Sequence, residues 1–260
     1  KKNSLHRIES IVRFINLNDE ILIKKIKSNR HKIKFIGKFS SNIKSNNTVS
    51  QLLRIIDKKK LLKNRYKIII KKNIPQKAGL GGGSINAATI LNFLIKKRFI
   101  KISDKEKIKI ANLVGSDVIL GIHAKNLILR SNNSIKTFLI KKKISVLIVK
   151  PDFGCSTKKI FSLVNKFTKT KFNHPSKNMF NFEFLKKMKN DLESITLNKH
   201  SKLNKLKNFL EKISKVEFVR MTGSGSAYIA YFNSHKKCKE AEKKVKKQFR
   251  NYWCKTSKTI

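Results

Sequence analysis

Acidic residues are what this sequence has least of for its charge: 15 Asp and Glu stand against 62 Lys and Arg, a formal net charge of +47. Such an imbalance ordinarily points to nucleic acid or an anionic membrane surface. A second scarcity argues against that reading. Arg, the residue suited to bidentate contacts with phosphates and bases, is scarce beside Lys, and no stripe of it is localised along the chain. The Lys excess is scattered over the whole length with heavy use of Asn, Ile and Phe, all encoded by A/T-rich codons. A biased genome explains this more simply than a polyanionic partner, although the charge still creates a field that draws anionic small molecules. Cysteine is nearly lacking too. Cys155, Cys238 and Cys254 form no CxxC and are odd in number, so neither a complete disulfide framework nor a zinc site is indicated, and a reducing cytoplasm is expected. No apolar run approaches the roughly 18 residues that span a bilayer and no signal peptide is visible, so a soluble chain with no membrane partner is expected.

Glycine is sparse and unevenly placed: four of the ten fall in Ala78-Gly79-Leu80-Gly81-Gly82-Gly83-Ser84. A run this dense lets the backbone take positive φ and bring its N–H groups close to a bulky anion with no Cβ in the way. Upstream, Tyr66 to Ile70 is β-branched and reads as a strand. Downstream, Ala87, Ala88, Ile90, Leu91 and Leu94 recur at helical spacing, with Ser84 or Asn86 as the expected helix cap. Strand, glycine loop and helix in that order aim unpaired N–H groups and the positive end of a helix dipole at the loop, which suits a phosphate. No Lys-Ser/Thr pair ends the loop as in a Walker A motif, and the dinucleotide GxGxxG with its distant acid is not matched.

The 260 residues allow one large domain or two of ordinary size, and a hydrophobic content of 40% excludes global disorder. Strands are expected at Ile8 to Phe14 and Ile21 to Ile23, joined by a short polar turn, and at Lys32 to Gly37. Helices are expected near Ser50 to Ile56 and after a Ser103 cap, and Lys143 to Val149 reads as a buried strand. Beyond Pro151 the texture becomes lysine-rich helices, then Arg220 to Gly225 forms a second glycine turn feeding an alternating strand, and a charged helix from His235 to Phe249 closes the chain. Two α+β domains meeting near residue 150 are expected, 1–150 and 151–260.

Four separated signatures, in order, resemble the GHMP kinases, and within them the branch acting on 4-diphosphocytidyl-2-C-methyl-D-erythritol. Asn3 to Ser10 is similar to that branch's DGYHxLxS segment, Pro75 to Ile85 to its ATP loop, Gly115-Ser116-Asp117-Val118 to its GADV segment, and Arg220 to Ser226 to its RxTGSG motif. Pro151 with Ser156-Thr157, and Asn190-Asp191-Leu192-Glu193, are weaker marks of the same group. The resemblance implies a ribosomal-protein-S5-like N-terminal domain and a ferredoxin-like C-terminal domain. It implies transfer of the γ-phosphate of ATP, with Mg²⁺, to the 2-hydroxyl of the cytidylyl substrate in the non-mevalonate route to isoprenoid precursors, by a monomer or weak homodimer with no nucleic-acid partner.

The same resemblance assigns roles. Pro75, Gln76, Lys77, Ala78, Gly79, Leu80, Gly81, Gly82, Gly83, Ser84 and Ile85 would hold ATP; Ile85 stands where a second Ser is usual, which removes a hydroxyl but no backbone donor. Asp117, which by itself reads as an ordinary turn former, takes the place of the catalytic aspartate. His6 would hydrogen-bond cytosine; Leu5 replaces the usual tyrosine, leaving Phe180, Phe182 or Phe184 as possible stacking faces or simple core. Thr222, Gly223, Ser224 and Gly225 would lie against the ATP loop. No metal-ligand set is indicated. The family's first motif, a strand with a catalytic lysine, does not precede the His6 segment, and the start at Lys1 rather than Met favours a fragment or mis-started frame over a decayed enzyme. The 260-residue form is expected to be poorly stable and nearly inactive until upstream residues are restored. Rival expectations are another GHMP kinase, for homoserine, mevalonate or a sugar, and, from charge alone, a basic nucleic-acid-binding protein.

Overall fold

Alternation and helical periodicity place most elements where the sequence puts them. The computed structural model describes residues 8–260. In chain order the strands and helices run β1 (Ser10–Val12), β2 (Glu20–Ile26), β3 (Lys32–Ile36), α1 (Thr48–Lys58), β4 (Arg65–Lys71), α2 (Gly82–Lys96), α3 (Asp104–Val114) and α4 (Val118–His123). They continue with β5 (Asn126–Leu129), β6 (Ile135–Phe138), β7 (Ser145–Lys150), α5 (Thr157–Phe161), α6 (Phe182–Lys187), α7 (Asp191–Lys199), α8 (Lys202–Glu211), β8 (Phe218–Met221), β9 (Tyr228–Phe232), α9 (His235–Gln248) and β10 (Trp253–Lys258).

These elements make two compact units, each discontinuous in sequence. One comprises residues 17–76 and 81–124, the other residues 8–16, 77–80 and 125–260. The units cut across the division expected at residue 150, because β1, β5, β6 and β7 all belong with the later elements.

The first is a three-stranded unit. Its sheet has β4 at the centre, antiparallel to β2 (Ile21 opposite Ile70) and parallel to β3 (Ile33 opposite Ile68). Tyr66, Ile68 and Ile70 of β4 are buried in the period of two that turns alternate side chains to one face. Helix α1 starts at Asn47, whose side chain accepts from the N–H groups of Val49 and Ser50 while Ser50 caps back. Its buried stripe of Val49, Leu52, Leu53 and Ile56 joins Ala87, Ala88, Ile90, Leu91 and Leu94 of α2 in one core. Ser103 caps α3 as expected, accepting from Glu106 N–H at 3.2 Å.

The second is a two-sheet unit. Its four-stranded sheet runs β10-β7-β9-β8, every pair antiparallel, and β7 is buried at all six residues. Leu147 and Val149 of β7 with Tyr228, Ala230 and Phe232 of β9 form a face covered by α8 (Leu203, Leu206, Leu210) and α9 (Cys238, Ala241, Val245). The smaller sheet is β1-β5-β6. The strands expected on either side of the Asn18-Asp19 turn both exist but do not pair with each other: β1 pairs with β5, and β2 with β4. Strand pairing is a through-space choice that a polar turn between two apolar runs does not dictate.

Candidate functional site

Helix α2 begins at the glycines themselves. Gly81 is its N-cap residue with φ of +67°, a left-handed conformation that favours glycine, and it makes no side-chain cap. The first intrahelical bond runs from Ile85 N–H to Gly81 O at 2.9 Å, so the N–H groups of Gly82, Gly83 and Ser84 precede it and have no helical acceptor. This corrects the expected cap: Ser84 lies inside the first turn, and the Asn86 side chain is buried, donating to Asp19 Oδ2 at 2.8 Å. Gly82 and Gly83 are helical, so what limits a side chain at 82 is space. A Cβ there would stand 3.1 Å from Ile74 Cγ2 and 3.6 Å from Lys72 Nζ. Thr48 Oγ1 steadies the turn by donating to Gly83 O at 2.8 Å. Upstream, Pro75 is buried, and Gln76 donates to the carbonyls of Phe39 and Ser41 at 3.0 and 2.7 Å.

Behind this helix start lies a buried ion pair that sequence reading did not single out. Asp19, its side chain fully buried, pairs with the ammonium of Lys72, itself nearly buried. Its other oxygen accepts from the backbone N–H groups of Asn73 at 2.8 Å and Ile74 at 2.9 Å. With the Asn86 amide, four donors converge on one carboxylate. They bind the start of β2, the exit from β4 and the first turns of α2 together, which is how a buried charge is kept tolerable.

Asp117 is half-buried at the N-cap of α4, without a side-chain cap bond. Burial pushes its carboxyl above the ordinary carboxylate range, opposed by Ser116, whose hydroxyl donates to Oδ1 over a long 3.5 Å. Among the described residues no cation pairs with it in a salt bridge. Its helix packs on α2 at Gly121, one turn on, where a Cβ would stand 2.7 Å from Ala88 Cβ and 2.8 Å from Ile85 Cδ1. Asp117 therefore sits on a helix docked against the first two turns of α2.

In the two-sheet unit, the turn from Thr222 to Ala227 lies against residues 77–79. Thr222 Oγ1 donates to Gly79 O at 3.0 Å, Ala227 N–H to Ala78 O at 3.1 Å and Ser226 N–H to Lys77 O at 3.3 Å. Gly79 has φ of +72°, and a Cβ there would stand 2.0 Å from Thr222 O, so no other residue fits without moving the turn. Cys155 N–H also donates to Lys77 O, at 3.2 Å, and Thr157 Oγ1 meets Ser224 Oγ at 3.0 Å, which ties in the Pro151 to Thr157 segment. Leu80 is half-buried at the end of this strapped stretch.

His6 lies outside the described residues. Phe180 is core, packed with Ile128, Phe172 and Phe138; Phe184 packs against the same cluster, and Phe182 meets Phe218 edge-on. Among the described residues, no group of three or more His, Cys, Asp or Glu is placed to hold a metal ion, and no helix is long and apolar enough to cross a membrane. All three cysteines are buried free thiols.

Residues 47–125 match the family model of the GHMP kinases' N-terminal domain. The whole chain is 51% identical to the 4-diphosphocytidyl-2-C-methyl-D-erythritol kinase of Pelagibacter ubique, covering 93% of that protein, and 27% identical to the enzyme of that name from Thermodesulfovibrio yellowstonii, covering 92%. Among solved structures, a 4-(cytidine 5'-diphospho)-2C-methyl-D-erythritol kinase superposes with a TM-score of 0.74 at 17% identity, over 96% of this chain and 89% of that one. The homoserine kinase of Cytophaga hutchinsonii gives 0.71 at 15% identity, over 98% and 89%. At those identities the structural likeness speaks to fold.

Proposed function

The chain belongs to the 4-diphosphocytidyl-2-C-methyl-D-erythritol kinases of the GHMP kinase fold, and from that premise we propose how its own residues carry the reaction. The reaction moves the γ-phosphoryl group of ATP onto the 2-hydroxyl of 4-diphosphocytidyl-2-C-methyl-D-erythritol, leaving ADP and the 2-phosphate. Little covalent work falls to the protein in such a transfer; position and electrostatics do most of it. Residues 75–85 hold the nucleotide. The observation that carries this is the left-handed Gly81 opening α2, because it leaves the N–H groups of Gly82, Gly83 and Ser84 free for phosphate oxygens at the positive end of a 15-residue helix.

Asp117 orients the acceptor hydroxyl and takes its proton as the new O–P bond forms. Burial raises its proton affinity, which makes it a stronger base than an exposed carboxylate. With no cluster of three or more His, Cys, Asp or Glu among the described residues placed to hold a metal, Mg²⁺ would be held chiefly by the phosphates and water. When bound, it neutralises phosphate charge. His6 is the proposed cytosine partner, and residues 222–225 support the loop. Buried reduced thiols support a cytoplasmic setting, and monomer or weak homodimer is the proposed state, without a nucleic-acid partner.

Turnover of ATP by the full-length protein, measured with the cytidylyl substrate beside homoserine, mevalonate and galactose, tests the reading. Efficient phosphorylation of the first alone is expected. Preference for any other acceptor would overturn it.

A further inference from the structure

The turn at 222–225 holds residues 77–79, but its shape is held in turn by a side chain far from both in sequence. Asn190 caps α7, its Oδ1 accepting from Leu192 N–H at 3.0 Å. Its amide nitrogen donates to Met221 O at 2.9 Å and to Gly223 O at 2.8 Å. The orientation of the amide follows from its partners, one N–H donor on the oxygen side and two carbonyls on the nitrogen side. Between those two carbonyls lies Thr222, whose hydroxyl donates to Gly79 O and whose own carbonyl accepts from Gly225 N–H at 2.9 Å. Three residues on, Glu193 takes the hydroxyl of Tyr228 at 3.3 Å and a salt bridge from Lys207 at 2.8 Å, so the first turn of α7 grips the chain after the glycines as well as before them.

We propose that Asn190 is a positioning residue for nucleotide binding, acting through the Thr222 to Gly225 turn on the carbonyls of Lys77, Ala78 and Gly79. A carboxamide of this length is needed. Aspartate keeps the cap but turns oxygen toward two carbonyls, and serine keeps the cap but is too short to reach them. The proposal rests on the reading of residues 75–85 as the ATP loop, and the test separates the two.

Asn190→Asp in the full-length enzyme retains an equivalent helix cap but loses the two bonds to the carbonyls of Met221 and Gly223, so its melting temperature should fall only modestly. Its KM for ATP should rise about 10-fold, since two hydrogen bonds that aim the loop are lost, while KM for the cytidylyl acceptor stays within about twofold. A residue that only supported the fold would move both constants together, or neither. If Asn190→Asp does not fold, Asn190→Ser is read in its place with the same expectation. Gly81→Ala serves as the control for the loop itself. A raised KM for ATP in Gly81→Ala with an unchanged one in the folded Asn190 variant overturns the role of Asn190 alone. Unchanged ATP constants in both overturn the loop reading with it.

Discussion

Asp117 and Asp19 are two carboxylates in one unit with opposite solutions to burial. Asp19 is surrounded by donors and its charge is satisfied; Asp117 has one long hydrogen bond and a raised proton affinity. A carboxyl raised in the folded state favours folding while it is neutral, and that contribution is lost as pH rises from the unfolded value through the folded one. Once ionised, it therefore carries a desolvation penalty that an amide would not. Asp117→Asn should lower kcat by roughly 10²–10⁴ and slightly raise the melting temperature at pH 7, the gain fading as pH falls below the folded pKa. For the parent, kcat should decline on the acid side with an inflection above the ordinary carboxylate range. Turnover within a few-fold of the parent would remove Asp117 from the chemistry. Asp19→Ala should behave in the opposite way, because it strands the Lys72 ammonium beside the start of α2. A loss of about 3–5 kcal/mol in stability is expected, read from the denaturation midpoint in urea, with part of it recovered in Asp19→Ala/Lys72→Met. A midpoint near the parent's for Asp19→Ala alone would show that the pair holds nothing.

Elements meet where side chains are smallest. Helix α4 reaches α2 because Gly121 has no Cβ to strike Ala88 and Ile85, and Asp117 is carried at the end of that helix. Gly121→Ala should push the helices apart by a fraction of an ångström to about an ångström, displacing the carboxylate from the acceptor. Since misplacement on that scale can reduce rate by about 100-fold, kcat should fall well beyond any change in KM for ATP. Steady-state kinetics with both substrates varied would check it, and an unaltered kcat in a folded variant would mean that the helix contact does not place Asp117. Gly79 is the corresponding small residue in the two-sheet unit, where the carbonyl of Thr222 occupies the space a side chain would take.

At the scale of the whole molecule, the charge of +47 acts on every anion that approaches. ATP and a cytidine diphosphate ester both carry negative charge, so the field should speed their encounter at low ionic strength and lose reach as the Debye length shrinks from about 10 Å at 0.1 M salt to about 3 Å at 1 M. We expect kcat/KM for both substrates to fall several-fold between 50 mM and 500 mM KCl, with kcat little altered. A flat response would mean that the lysines are too evenly spread to steer anything.

Much of this was legible in the chain alone because it depends on local chemistry. The strand before the glycines, the helix after them, the Ser103 cap and the buried β7 follow from periodicity and turn residues within about a dozen positions. The four ordered signatures pointed to the reaction, and the loop, Asp117 and the Thr222 to Gly225 turn were named from them. What the sequence could not settle depends on distance in space. The helix starts at Gly81 rather than being capped by Ser84 or Asn86, because the left-handed glycine begins it earlier and Asn86 is spent on Asp19, 67 residues away. Lys72 is one of 62 basic residues and is marked out only by its burial against Asp19, 53 residues away. Asn190 reaches the second glycine turn across 31. Local patterns determine which element forms, whereas the partner of a strand, a buried charge or an amide is decided only when packing brings distant segments within hydrogen-bonding reach.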